Sequence, residues 1–214
     1  MDIITEFKGA KIRKTIHLIR HGQTDFNKQG IIQGSGIDSD LNETGRWQAS
    51  RFFEFYKEQN YHHIYTSKLK RAIQSVEGFI DKGIGHTPLE EFNEINWGIM
   101  EGRRSSPETA LMYDKIIRQW SNGDVNSAID EGETPLEMYE RQAKGMQLLM
   151  SKTNEEHVLI CMHGRALRSF LCLLTGVPLK EMERWQHDNL CLYELEYNGR
   201  HFDIIKANDR THLL

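Results

Sequence analysis

The chain predicts a three-layer α/β/α fold with a mostly parallel sheet, and three observations carry that expectation. Short apolar runs at residues 16–19 and 158–162 each end on a His-Gly pair, Arg20-His21-Gly22 and His163-Gly164. An apolar run of that length bounded by glycine reads as a strand buried on both faces of a parallel sheet. Strand-like and helix-like patterns then alternate along the chain, as layered α/β proteins require. Both histidines are thereby placed at carboxyl ends of strands, where open α/β sheets bind ligands.

Taken in order, the first run leads into a loop holding Gly30, Gly34 and Gly36. Asn42 is placed to cap a helix whose apolar side is expected to carry Trp47, Phe52, Phe55 and Tyr56. Residues 64–66 read as a second strand. A helix with Leu69, Ile73, Val76 and Ile80 follows, capped by Ser67 and carrying Arg71 in its first turn. The long Arg71 side chain can reach back across the crevice toward His21. Residues 87–92 read as a third strand that delivers Glu94 to the same edge.

Residues 95 to about 150 read as a largely helical insertion. Met112, Ile116, Ile117 and Trp120 form one apolar stripe there and residues 136–150 another, separated by the polar Ser121-Asn122-Gly123-Asp124. After His163 a helix is expected over 165–174, its N-terminal N–H groups facing any anion at the strand end. Pro178 opens a short helix to about His187, Asp188-Asn189 turns the chain, and Asn198-Gly199 signals a hairpin. No repeat or linker divides the chain, so residues 1–214 are expected to form one domain with the insertion at about 95–150.

Composition sets the class. The chain has 214 residues, 27% of them charged and 38% hydrophobic, with a net charge of −4, which describes a soluble globule with a substantial core. The acidic balance argues against a nucleic-acid surface. The basic Lys11, Arg13 and Lys14 are expected to be a solvated approach to the first strand. Cys161, Cys172 and Cys191 lie in apolar runs without ligand spacing, which points to reduced thiols and a cytoplasmic protein. No zinc motif appears, and His62-His63 are adjacent, so a strand would point them to opposite faces. There is no secretory pattern and no apolar run near the roughly 18 residues of a membrane span. The oligomeric state stays open, a homodimer included.

Two imidazoles and arginines at one crevice suit a phosphate. Arg20 and Arg71 are the candidates to grip a phosphomonoester dianion, since guanidinium binds such groups in a fork and stays charged. His21 is the candidate nucleophile, His163 the candidate donor to the transferring oxygens, and Asn27 an amide donor to the same group. Preorganised positive charge is then the catalytic device, and neither a metal nor another cofactor is required. A leaving alkoxide needs a proton, and Glu94 is the candidate general acid; its neighbours Ile95, Trp97 and Ile99 favour the neutral carboxyl and nearby arginines oppose it.

The run from His21 to Asn27 leads into Gln33-Gly34, Asp38, Leu41, Thr44-Gly45 and Gln48-Ala49. Thr66-Ser67 with Arg71-Ala72 follows, then Glu94 within Asn93–Gly98, Glu101-Gly102, Gly132-Glu133 with Arg141 downstream, and His163-Gly164. In this order, from Thr15 to Tyr197, the motifs resemble the histidine phosphatase superfamily, the group named after phosphoglycerate mutase. The resemblance implies a phosphohistidine on His21 and a helical lid, over the active site, in which selectivity resides. Gln33, Gly34 and Gly164 join Asn27 as expected substrate contacts. Arg165 either lines the site and selects a second anionic group or lies on the helix surface.

The departures bear on function. Mutases of this superfamily follow the acid Glu with Arg and Tyr, whereas Ile95, Asn96 and Trp97 follow Glu94 here, as in the phosphatase branch. Arg103, Arg104, Lys115 and Arg118 supply some charge in the insertion. The expected function is a metal-independent phosphomonoester hydrolase of the histidine acid type, acting on a small phosphorylated metabolite. The alternatives are a cofactor-dependent phosphoglycerate mutase and a protein that binds a phosphorylated ligand without turnover.

Overall fold

The computed structural model describes residues 13–214. Six strands form one sheet in the order β3-β2-β4-β1-β5-β6. They are β1 (Thr15–Arg20), β2 (His63–Ser67), β3 (His86–Leu89), β4 (His157–Met162), β5 (Leu192–Tyr197) and β6 (Phe202–Asp209). The first four are mutually parallel; β5 and β6 extend the sheet antiparallel, through a hairpin whose Gly199 adopts φ +93°. The helices are α1 (Asp25–Lys28), α2 (Glu43–Tyr56), α3 (Lys70–Gln74), α4 (Glu77–Asp81), α5 (Pro107–Ser121), α6 (Pro135–Ser151) and α7 (Gly164–Thr175).

The continuous apolar runs of β1 and β4 are explained by burial on both faces. Ile16 and Leu18 of β1, with Val158, Ile160 and Met162 of β4, enter one core; Ile19, Leu159 and Cys161 enter the other. That is the period-two alternation of a strand between two helical layers. The first core lies under α6 and α7, whose Met138, Met146, Leu149, Leu167 and Phe170 are fully covered. The second lies under α2 and α4 through Phe52, Tyr56 and Phe79. The later half of the 95–150 stretch therefore helps cover the sheet, and α5 joins the same core through Ile116 and Trp120.

Several local expectations are corrected. Helix α2 turns only Phe52 and Tyr56 inward, one helical turn apart; Trp47 and Phe55 are 50% and 56% exposed. The single helix expected over 69–80 is two, because Ser75 at the break donates to Arg71 O at 2.6 Å and accepts Gly22 N–H at 2.9 Å. Ser67 is not the cap of α3; that place falls to Leu69, without a side-chain bond. The third strand ends at Leu89 and Glu90–Phe92 form a 3-10 turn. Lys14 is buried rather than solvated: its Nζ donates to Lys152 O (2.9 Å) and Glu155 O (2.5 Å), and burial lowers it to about 8. Lys11 lies outside the described residues. Cys161, Cys172 and Cys191 are free and buried, and no helix among the described residues is long and apolar enough to cross a membrane.

Candidate active site

The two His-Gly pairs meet because β1 and β4 are parallel neighbours with Arg20 opposite Met162. His21 N–H donates to Met162 O at 2.9 Å, and the rings of His21 and His163 stand 5.0 Å apart. The peptide that follows is braced on every side. Gly22 N–H reaches Ser75 Oγ (2.9 Å), Gln23 N–H reaches Gln48 Oε1 (2.9 Å), and Asn189 Nδ2 donates to His21 O (3.0 Å). Glycine is needed at 22 and 45 because this loop and the start of α2 touch backbone to backbone. A Cβ on Gly22 would lie 2.7 Å from Gly45 O, and one on Gly45 would lie 2.1 Å from Gln23 O.

His21 Nδ1 is 2.7 Å from Gly22 O. A carbonyl only accepts, so Nδ1 carries the proton and Nε2 keeps its lone pair. Nε2 has no hydrogen-bond partner among the described residues, and His21 lines a cavity of about 180 Å³. Burial, reinforced by Arg71 and Arg20, holds His21 well below the usual imidazole range, so the ring is neutral at pH 7. Burial and then Arg71 do the same to His163. Arg71 Nε–H donates to His163 Nδ1 at 3.2 Å, which leaves the His163 proton on Nε2, 2.6 Å from Ser67 Oγ.

Arg71 is fully buried and does not reach the cavity wall. Its Nη1 and Nη2 donate to Ile37 O (2.6 Å) and Gly34 O (3.1 Å), and burial lowers it to about 10. Neither Arg71 nor His163 lines the cavity. In this arrangement Arg71 stands beside His163, behind the cavity lining, and its charge acts on both histidines. Gly34 likewise gives its carbonyl to Arg71 and forms no wall of the cavity; a Cβ there would lie 2.0 Å from Glu101 Oε1.

Arg20 is one of two guanidinium groups lining the cavity. Its Nη1 lies 3.3 Å from both His187 Nδ1 and His187 O, while its Nε is buried without a partner. A buried charged donor left unpaired is costly. Burial, with Arg20, Arg168 and Arg165, lowers His187 to about 3, so it serves Arg20 as a neutral acceptor. His187 and Asn189 were not legible in the sequence. They sit in an aperiodic turn, and only the polar run from Gln186 to Asn189 hints at them.

Asn27 and Gln33 both line the cavity. Asn27 Oδ1 accepts Thr24 N–H (3.2 Å) and Asn189 Nδ2 (3.4 Å), which leaves Asn27 Nδ2 as the donor toward the site. Gln33 has both ends engaged, Nε2 donating to Thr24 Oγ1 (2.6 Å) and Oε1 accepting from Ser39 Oγ (2.7 Å), so it braces the wall. Gly164 lines the cavity at the first turn of α7, where a Cβ would lie 2.8 Å from His187 Cε1.

Glu94 is 7% exposed, lines the cavity and sits across the N-terminus of α7. Oε1 accepts Ile95 N–H (3.0 Å) and Ala166 N–H (2.8 Å); Oε2 accepts Arg165 N–H (3.1 Å). The N–H groups expected to face a ligand are therefore capped from within the chain. Oε2, with one bond, is the oxygen with room for a proton. Arg141 holds this segment, its guanidinium paired to Glu133 at 2.6 and 2.9 Å and donating to Glu91 O (2.7 Å) and Glu94 O (3.1 Å).

Arg165 also lines the cavity and is 5% exposed, so it is no surface residue. Nη1 pairs with Glu183, which also takes Arg168, and Nη2 donates to Tyr113 Oη at 2.5 Å. The guanidinium lies 5.6–5.9 Å from the ring centres of Trp97, Tyr113 and Trp120. Among the described residues, no group of three or more His, Cys, Asp and Glu side chains is arranged to hold a metal ion.

A model of the histidine phosphatase superfamily (branch 1) matches residues 16–210. The chain is similar to the "Uncharacterized phosphatase PhoE" of Bacillus subtilis, at 30% identity over 199 residues, covering 92% of this chain and 95% of that one. It is also similar to the "Probable phosphoglycerate mutase GpmB" of Yersinia pestis, at 28% identity over 204 residues, covering 92% and 94%. Among solved structures, phosphoserine phosphatase from Entamoeba histolytica superimposes with a TM-score of 0.81 at 23% identity, covering 94% of this chain and 100% of that one.

Proposed function

The chain belongs to the histidine phosphatase superfamily, and from that premise we propose that it hydrolyses a small phosphomonoester through a phosphohistidine on His21. One observation carries the reading: a neutral imidazole, its tautomer fixed by Gly22 O and its Nε2 unprotonated, lines a cavity whose walls also include Arg20 and Asn27.

The chemistry follows from those atoms. The phosphoryl group lies against Arg20 and Asn27 Nδ2, and the buried Arg71 adds positive potential from behind the cavity lining. The Nε2 lone pair of His21 forms a bond to phosphorus as the P–O bond to the leaving group breaks. The departing electron pair takes the proton from Glu94 Oε2. In the second half, water attacks phosphorus, Glu94 takes the proton of that water, and the P–N bond breaks with its electrons returning to Nε2. His163 holds Arg71 in place through its Nδ1. Fixed cations supply the charge that a metal would otherwise provide, which supports the metal-independent, histidine acid type of enzyme.

Hydrolysis is favoured over mutase chemistry by what is missing from the walls. A mutase must retain its phosphorylated intermediate, yet Arg103, Arg104, Lys115 and Arg118 are not among the residues lining the cavity. Helix α5, with Tyr113 on the cavity wall, takes the part of the lid in this reading. The free, buried thiols suit a reducing cytoplasm. Rapid quenching of enzyme with labelled substrate tests the proposal: phosphate stable in alkali and labile in acid should appear on the wild type, and His21→Ala should neither label nor turn over. Label on a serine, or activity retained in His21→Ala, overturns it.

A further inference from the structure

We propose that the leaving group is an uncharged, hydroxyl-bearing group such as a sugar or polyol, selected against a second anion by Asp114. This rests on the reading of His21 as phosphoryl acceptor and goes on to the substrate class. The 180 Å³ cavity is small, but it adjoins a second one of about 480 Å³; Arg20, Ile32 and Tyr113 are walls of both. The second volume lies in the range of small-molecule sites. A phosphoryl group held beside His21 therefore directs the rest of its ester into the larger chamber, along α5.

Besides Arg20, the polar groups of that chamber are the Asp114 carboxylate and the neutral Asn27, Ser105, Thr109, Tyr113 and Asn189. Asn189 has its Nδ2 committed to His21 O and Asn27 Oδ1, so its Oδ1 is what it has to offer. Thr109 is spent on the start of α5, its hydroxyl donating to Arg104 O and accepting Ser106 N–H. Ile31, Ala110 and Tyr113 supply apolar surface. One carboxylate and neutral hydrogen-bonding groups over an apolar wall match a ligand with hydroxyl groups on a carbon skeleton.

Among the described residues, Arg20 is the one cationic side chain lining the larger chamber, and it lines the phosphoryl cavity as well. Arg165 is neutralised by Glu183 and held by Tyr113 within three aromatic rings, so an arriving carboxylate would have to displace Glu183. Arg104 is tied to Gln29 at 3.0 Å. Asp114, meanwhile, repels like charge, and exclusion of the wrong ligand is as effective a route to specificity as attraction of the right one.

Glycerol 3-phosphate and 3-phosphoglycerate make a matched pair, since they share a three-carbon skeleton and differ at the carboxylate. Wild-type kcat/KM should favour glycerol 3-phosphate by about fivefold or more, the scale of one exposed charge contact. Asp114→Lys should move that ratio at least about fivefold toward 3-phosphoglycerate, mainly through KM, and Asp114→Asn by less. Preference of the wild type for 3-phosphoglycerate, or a ratio unmoved in Asp114→Lys, overturns the inference. Wild-type hydrolysis of p-nitrophenyl phosphate separates the two levels. If it is absent, the phosphatase reading itself falls; if it is present while 3-phosphoglycerate is preferred, only the leaving-group assignment falls.

Discussion

Glu94→Gln keeps the shape of the side chain and removes its charge, and the structure says what each loss is worth. The carboxylate receives N–H from Ile95, Ala166 and Arg165. A Gln carbonyl at Oε1 keeps the first two, but its NH2 then faces Arg165 N–H, donor against donor. A buried hydrogen bond to a charged group is worth about 1.5–3 kcal/mol, and a negative charge at a helix N-terminus about 0.3–1 kcal/mol. The variant should therefore lose about 3 kcal/mol of stability, seen as a Tm lower by about 6–12 °C for a chain of this size. Activity should divide by leaving group. Alkyl phosphates, whose alkoxides need a proton, should slow by about 10²–10⁴-fold. p-Nitrophenyl phosphate, whose phenolate departs unprotonated, should lose less than about tenfold on the same scale. Thermal unfolding and steady-state rates on both esters, well below the lowered Tm, make the assay. Equal loss on both esters in a folded variant would refute general acid catalysis by Glu94, and an unchanged Tm would refute its role as the cap of α7.

Three further outcomes are expected. Dialysis against a chelator should leave turnover unchanged, and activity that vanished and returned with added metal would overturn charge supply by arginine. Given 3-phosphoglycerate, the enzyme should release phosphate faster than it forms the 2-phospho isomer, with no need of 2,3-bisphosphoglycerate; isomerisation faster than hydrolysis points to a mutase. Acid should destabilise the fold early. His17, bonded to Tyr61 Oη at 2.7 Å, is lowered to about 4 by burial and by His157. Its folded value lies below its unfolded one, so its contribution is complete above pH 6.5 and is lost as pH falls toward 4. That amounts to about 2 kcal/mol by pH 5, and equal urea midpoints at pH 7 and pH 5 would contradict it.

The sequence disclosed the parts of the fold that repeat a simple period and the site residues that end such a period. Leu18 and Ile160 lie in runs too apolar for an exposed strand, so the parallel sheet was legible, and so was the meeting of His21 and His163. Glu94 was legible as a residue of the crevice but not as a helix cap, because the N–H groups it covers come from α7, some seventy residues away. Arg71 was correctly placed near His21, yet its commitment to Gly34 O and Ile37 O depends on a loop path that no pattern encodes. Lys14 read as solvated because lysine usually is; two carbonyls from the turn before β4 draw it in. Arg165 could be surface or wall from sequence alone, and the aromatic residues that decide it come from separate stretches of the chain.

The bracing of the His21 peptide has a consequence for the protein's response to heat and to hydrogen exchange. The amide protons of His21 and Gly22 are locked to β4 and to Ser75, and the His21 carbonyl to Asn189. These bonds join the central strands to the break between α3 and α4 and to the turn before β5, so no local opening frees them. Both amides should exchange at the rate of global unfolding, among the slowest in the molecule. The His21 backbone is then as durable as the sheet itself. On heating, turnover and tertiary structure should disappear over one common transition, with no folded species that has lost its chemistry first.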